Sequence, residues 1–147
     1  MLSLPFALLL SVAQTDPSTA QDCPKDLLQI DGVEIAAPVD RLLQRYGAPN
    51  ERKPLDGEHY EEEVSFDRVT AYLIAGRIEH LASSRSGSCT GRGICIGGNL
   101  DAAEGKFAGF VPDRDGRSLH CANSEAACSL VVQGAPTIEK LVLQCLP

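Results

Sequence analysis

Residues 69–84 read VTAYLIAGRIEHLASS, and this stretch decides the fold. Two runs rich in apolar and β-branched residues flank a short turn at Gly76-Arg77, the pattern of an antiparallel hairpin. In the first run Val69, Ala71 and Leu73 share one side, and Thr70, Tyr72 and Ile74 share the other. Both sides are largely apolar, which predicts a mid-sheet strand with a helix over one face. In the second run Ile78, His80 and Ala82 alternate with Glu79, Leu81 and Ser83.

The phrase returns sixty residues later: Ile78-Glu79-His80-Leu81 is echoed by Ile138-Glu139-Lys140-Leu141, which follows a Gly134-Ala135-Pro136 turn. A helix is expected before each copy. Pro38 opens the first without wasting a donor, Val39, Leu42, Leu43 and Tyr46 fall on one helical face, and Gly47 and Pro49 end it. Asn99 caps the second, over 100–107, with Leu100, Ala103 and Phe107 inward and Gly109 as its stop. Strands are expected at 59–66, 118–121, 128–133 and 138–144, with polar loops at 50–58 and 110–117. The fold class that follows is α+β: two tandem helix-plus-antiparallel-hairpin units, 21–88 and 89–147, forming one sheet with helices on one face, sharing a core and stapled by disulfides.

Residues 2–13 are apolar but too short to span a bilayer, and small-x-Ala patterns ending at Ala13 and Ala20 follow. We read 1–20 as a signal peptide, although no Lys or Arg precedes the apolar run. Behind such a leader, six cysteines (Cys23, Cys89, Cys95, Cys121, Cys128, Cys145) imply three disulfides and a periplasmic or secreted location. Spacing favours Cys89–Cys95, Cys121–Cys128 and Cys23–Cys145, with Cys128–Cys145 as the rival. Cys23 follows Ala20-Gln21-Asp22, which is no lipidation signal, so no membrane anchor is expected. The 147 residues carry 20 carboxylates against 13 Lys and Arg, a net charge of −7, which argues against nucleic acid and anionic lipid as partners.

Catalytic patterns are thin. Gly87-Ser88-Cys89-Thr90-Gly91 has the spacing of a nucleophile elbow, but Cys95 six residues on favours a disulfide ring. His59, His80 and His120 lack metal-ligand spacing, so no metal or cofactor is expected. Glu58, Glu61, Glu62 and Glu63 read as a solvated strand rather than an acid/base pair. A non-catalytic binding protein is the expectation. Its candidate contacts are Arg92 at the tip of the Cys89–Cys95 loop, the Asp113-Arg114-Asp115 turn, and Tyr60 and Tyr72 with Glu61 and Glu63.

The helix leading into Tyr46-Gly47-Ala48-Pro49, the strand with Tyr60 and the 69–81 run resemble the α/β unit of the small outer-membrane β-barrel assembly lipoprotein. Two such units in tandem, exported and cystine-bearing, resemble the β-lactamase-inhibitor-protein fold over residues 30–144. The resemblance implies a sheet presented to an enzyme, as in inhibitors and in related periplasmic immunity proteins against toxins. The chain departs from it in having no Trp and only three Tyr and four Phe, where the inhibitors carry an aromatic-rich face. It also lacks the acylated Cys of the lipoprotein. The expected partner is therefore a protein, an enzyme or toxin, neutralised by occlusion. The alternative is a cell-envelope accessory that binds without inhibiting.

Overall fold

A computed structural model describes residues 21–57 and 59–146; the expected leader at 1–20, Glu58 and Pro147 lie outside the described residues. A 3-10 turn at Lys25–Leu27 leads into a small hairpin, β1 (Gln29–Ile30) and β2 (Val33–Glu34), across Asp31-Gly32. Helix α1 (Asp40–Tyr46) precedes a four-strand meander: β3 (Glu51–Pro54), β4 (Glu62–Phe66), β5 (Val69–Ile74) and β6 (Arg77–Ser83). Helix α2 (Leu100–Glu104) precedes a second: β7 (Val111–Pro112), β8 (Ser118–Asn123), β9 (Cys128–Gln133) and β10 (Lys140–Cys145). The meanders fuse where β10 pairs antiparallel with β6, giving one eight-stranded sheet in the order β3-β4-β5-β6-β10-β9-β8-β7.

The protein is therefore mostly β, and two helix-plus-hairpin repeat units are not what forms. The helices are only seven and five residues long. Gly47 caps α1, with its N–H bonding back to Leu43, and Gly105 ends α2 well short of Phe107. The polar segments read as loops instead supply edge strands β3 and β7. The echoed phrases also differ in role. Ile78 lies inside β6, whereas Ile138 precedes β10 and exchanges backbone hydrogen bonds with Gly97 and Gly98.

The hairpin forms in the expected frame, with Val69, Ala71 and Leu73 facing the core. Its turn is Ala75-Gly76, one residue earlier than expected, and both residues are left-handed (φ 50° and 73°), the geometry that two-residue hairpin loops require. The strict alternation expected in β6 fails. Leu73 pairs with Ile78 but Tyr72 pairs with His80, so Glu79 is an extra residue in a β-bulge.

One continuous core fills the space between one face of the sheet and a covering layer. The sheet contributes Val64, Phe66, Ile78, Leu81, Leu119, Leu130, Leu141 and Leu143; the layer contributes Leu27, Ile30, Leu42, Ile94, Leu100 and Phe107. A polar knot anchors that layer. Asp31 accepts hydrogen bonds from Tyr46 Oη (2.6 Å), Ser88 Oγ (2.8 Å) and the Cys89 amide (3.0 Å), and the buried Ser83 hydroxyl donates to Ser88 (2.8 Å). Burial pushes the Tyr46 phenol well above its ordinary range, and the hydrogen bond to Asp31 pushes it further.

The disulfides are Cys89–Cys95, as expected, Cys128–Cys145, the rival pairing, and Cys23–Cys121, in place of Cys121–Cys128 and Cys23–Cys145. Sheet register explains the difference. Cys128 and Cys145 are directly opposed on β9 and β10, and Cys23 lies beside β8, its amide donating to the Ala122 carbonyl (2.9 Å). Those four cysteines are buried, whereas Cys89 and Cys95 are half-exposed. Exchange needs access to the sulfur. Titration with dithiothreitol under native conditions, followed by alkylation and mass mapping, should therefore label Cys89 and Cys95 first; early labelling of Cys23 or Cys128 would contradict this burial order.

Candidate functional site

Among the described residues the covering layer occupies one face of the sheet only, so strand register dictates what the other face presents. Crossing the strands, one row runs Ser65, Thr70, Ala82, Val142, Val131, His120 and Val111. The next row runs Lys53, Glu63, Tyr72, His80, Gln144 and Ser129. The first row is small and apolar at its centre. Only Val142 in it is buried, at 9% exposure, and Val111 at the edge is 45% exposed.

The aromatic residues of this face gather at one end. Tyr60 stacks on Tyr72 with ring centroids 5.1 Å apart, and His80 meets Tyr72 edge-on at 5.2 Å and Tyr60 at 6.3 Å. The β6 bulge builds this cluster. Ile78 and Leu81 both point into the core, and between them Glu79 and His80 occupy the space that a regular strand gives to alternating residues. Glu79 lies close enough to Tyr60 for its charge to raise the phenol, second to partial burial as a cause. His80 is lowered, first by burial and then by the charge of Lys140.

A lowered imidazole has a stability consequence of definite sign. The unfolded chain protonates at about pH 6.5, while folded His80 resists the proton. Stability is then full above that pH and declines as pH falls through the folded value. The groups around the ring are Lys140, Tyr60, Tyr72 and Glu79. Urea midpoints measured from pH 7.5 to pH 5 should show that slope, and His80→Gln should flatten it; an unchanged slope in the variant would assign it elsewhere.

The residues proposed from sequence are not brought together. Tyr60, Tyr72 and Glu63 share the open face, Glu63 directly opposite Tyr72 and 3.6 Å from Lys53. Glu61 is adjacent, and its carboxylate accepts the Ala75 amide at the β5–β6 turn (3.0 Å). Arg92 belongs to the covering layer instead. Its guanidinium pairs with Asp26 (2.7 Å), donates to the Lys106 carbonyl (3.3 Å) and lies over the Phe107 ring. The Cys89–Cys95 loop is thus a strut rather than a projecting finger, with Ile94 buried beneath it. At Gly91 an added Cβ would sit 2.6 Å from the Asp26 carbonyl, so only glycine fits.

Asp113, Arg114 and Asp115 form the β7–β8 turn, at the opposite end of the sheet from the tyrosines. Asp113 is satisfied locally: it accepts from the Ser118 hydroxyl and from the Arg117 (3.0 Å) and Ser118 (3.2 Å) amides. The Ser118 hydroxyl is the main reason its carboxyl is held down at about 2, against a smaller opposing effect of desolvation. Sequence reasoning missed His80 and Glu79 as partners of the tyrosines, and also Thr70, Ala82, Val131 and Val142, which only the β6–β10 seam aligns.

Among the described residues no three His, Cys, Asp or Glu side chains converge as metal ligands, and no helix is long and apolar enough to cross a membrane. Cys89 of the elbow-like motif is tied up in its disulfide. A crevice of about 220 Å³ between the β1–β2 hairpin and the β8–β9 turn has Leu28, Ile35, Ala126 and the oxidised Cys128 in its lining, with Lys25, Glu34 and Glu125 as its charged groups. No family model, curated protein or solved structure matches this chain. Three disulfides indicate an oxidising environment outside the cytoplasm.

Proposed function

We propose that this protein is an exported binder, periplasmic or secreted, that neutralises an enzyme or toxin by laying the open face of its sheet over it. The observation that carries the reading is the make-up of that face. Half-exposed Thr70, Ala82 and Val131 flank a cluster of Tyr60, Tyr72 and His80, on a platform backed by the core and locked by three disulfides. Tyrosine is among the residues that most often form the energetic centre of an interface. A rigid platform also loses little conformational entropy when it binds. Of the sheet and the disulfide loop expected to share this role, the sheet face carries the reading, since Arg92 of the loop is held inward by Asp26.

Affinity capture from the secreted and periplasmic fractions, followed by activity assays of what is retained, tests the reading. Thr70→Arg places a long cation in the middle of the face and should abolish capture while leaving the thermal midpoint within a few degrees of the parent. Retention of the same enzyme by Thr70→Arg would overturn it.

A further inference from the structure

The Tyr60–Tyr72–His80 cluster holds more hydrogen-bonding capacity than the protein uses. Among the described residues, the Tyr60 and Tyr72 hydroxyls, the His80 imidazole and the Glu79 carboxylate make no side-chain hydrogen bond or ion pair, though all four residues are half-buried. Four polar tips left to solvent beside stacked rings form a surface poised for a polar ligand. The sign of that ligand's charge follows from the surroundings. Ring faces carry negative potential, Glu79 stands beside Tyr60 with no cation of its own, and Glu61 and Glu63 lie on the flank. The nearby cations among the described residues are Lys53, which answers Glu63, and Lys140, four positions along the adjacent strand β10 from His80's partner Gln144. The whole chain carries −7.

We propose that this cluster seats a basic side chain of the partner protein, an arginine by preference, stacked on Tyr60 and hydrogen-bonded to Glu79. The assignment rests on the open-face reading above and adds the chemistry of the partner. Arginine suits the site better than lysine because its planar guanidinium can lie on a ring while its edge donates two hydrogen bonds to a carboxylate. The β6 bulge is the device that makes this possible, since a regular strand would turn Glu79 to the opposite face from His80.

The probe is N-acetyl-arginine methylamide, with the citrulline analogue as an isosteric neutral control, titrated into isotope-labelled protein and followed by NMR. Saturable shifts should localise to Tyr60, Tyr72, Glu79 and His80, and citrulline should bind about tenfold more weakly or not at all. Tyr60→Leu and Glu79→Gln should each weaken arginine binding severalfold with folding intact, as judged by undisturbed core methyl signals. Equal shifts from citrulline, or arginine shifts that persist in both variants, would overturn the assignment. The broader reading is separable. If Thr70→Arg abolishes partner capture while arginine shows no saturable site, the open face binds a partner and the arginine assignment is wrong. If arginine binds the cluster but capture survives Thr70→Arg, the cation site stands and the occlusion reading fails.

Discussion

Replacing Cys23 and Cys121 together by alanine is expected to cost about 4–5 kcal/mol of stability, the loop-closure value for a link spanning on the order of 100 residues. The two cysteines are 98 residues apart and both are buried. The bridge fixes the start of the described chain against β8, where the Cys23 amide donates to Ala122, Asn123 Nδ2 donates to the Cys23 carbonyl (3.2 Å), and Ser124 donates to Asp22. Without it that segment can fray from β8 and uncover Leu27 and Leu119. The same argument gives about 3 kcal/mol for Cys128–Cys145 and about 2 kcal/mol for Cys89–Cys95, whose separations are 17 and 6. Urea denaturation of the three double-alanine proteins reads the order directly. A Cys89–Cys95 loss as large as the Cys23–Cys121 loss would show that chain entropy is not what the bridges control.

Asp31→Ala should cost about 3–4 kcal/mol, because one carboxylate serves three donors and charge-assisted bonds contribute about 1.5–3 kcal/mol each without adding fully. Its loss strands Ser88, 2% exposed, and through it Ser83, 0% exposed. It also releases Tyr46, which joins α1 to the β1–β2 turn. Asp31 holds φ 54°, a left-handed conformation that aspartate and asparagine tolerate better than alanine, which adds to the cost. Asp31→Asn keeps that conformation and one acceptor oxygen, so it should lose only about half as much. Equilibrium unfolding at pH 7 measures both; a cost below about 1 kcal/mol for the alanine variant would mean that the knot is solvated in the folded protein.

The central hairpin was legible because Val69, Ala71 and Leu73 alternate against a buried layer and Gly76 marks the turn. Helix α1 was legible from Leu42, Leu43 and Tyr46 with Gly47 behind them. The edge strands were not. All four residues of β3 and both of β7 are exposed, so they carry no apolar alternation to read. That gap, with helices cut short at Gly47 and Gly105, is why the helix-plus-hairpin class was wrong. Disulfide pairing was legible in part: Cys89–Cys95 and the rival pair Cys128–Cys145, at opposite ends of one hairpin, both form, whereas Cys23–Cys121 depends on where the chain start lies against β8, which loop spacing does not encode.

The candidate site divides the same way. Tyr60, Tyr72 and Glu63 were found because neighbours along one hairpin stay neighbours in the fold. His80 and Glu79 were hidden by a one-residue bulge that no local pattern announces. Arg92 has the charge of a contact residue, but Asp26, 66 positions away, draws it inward.

The two borders of the sheet bear on how anything could attach to it. β3 finishes in Pro54 and β7 in Pro112, neither with an amide hydrogen to offer, and beyond the short β7 the Ala122 carbonyl is already taken by Cys23. A proline on each border and the shortness of β7 disfavour lateral accretion of a foreign strand, and with it fibre growth from this scaffold. A partner that reads side chains from above meets no such obstacle.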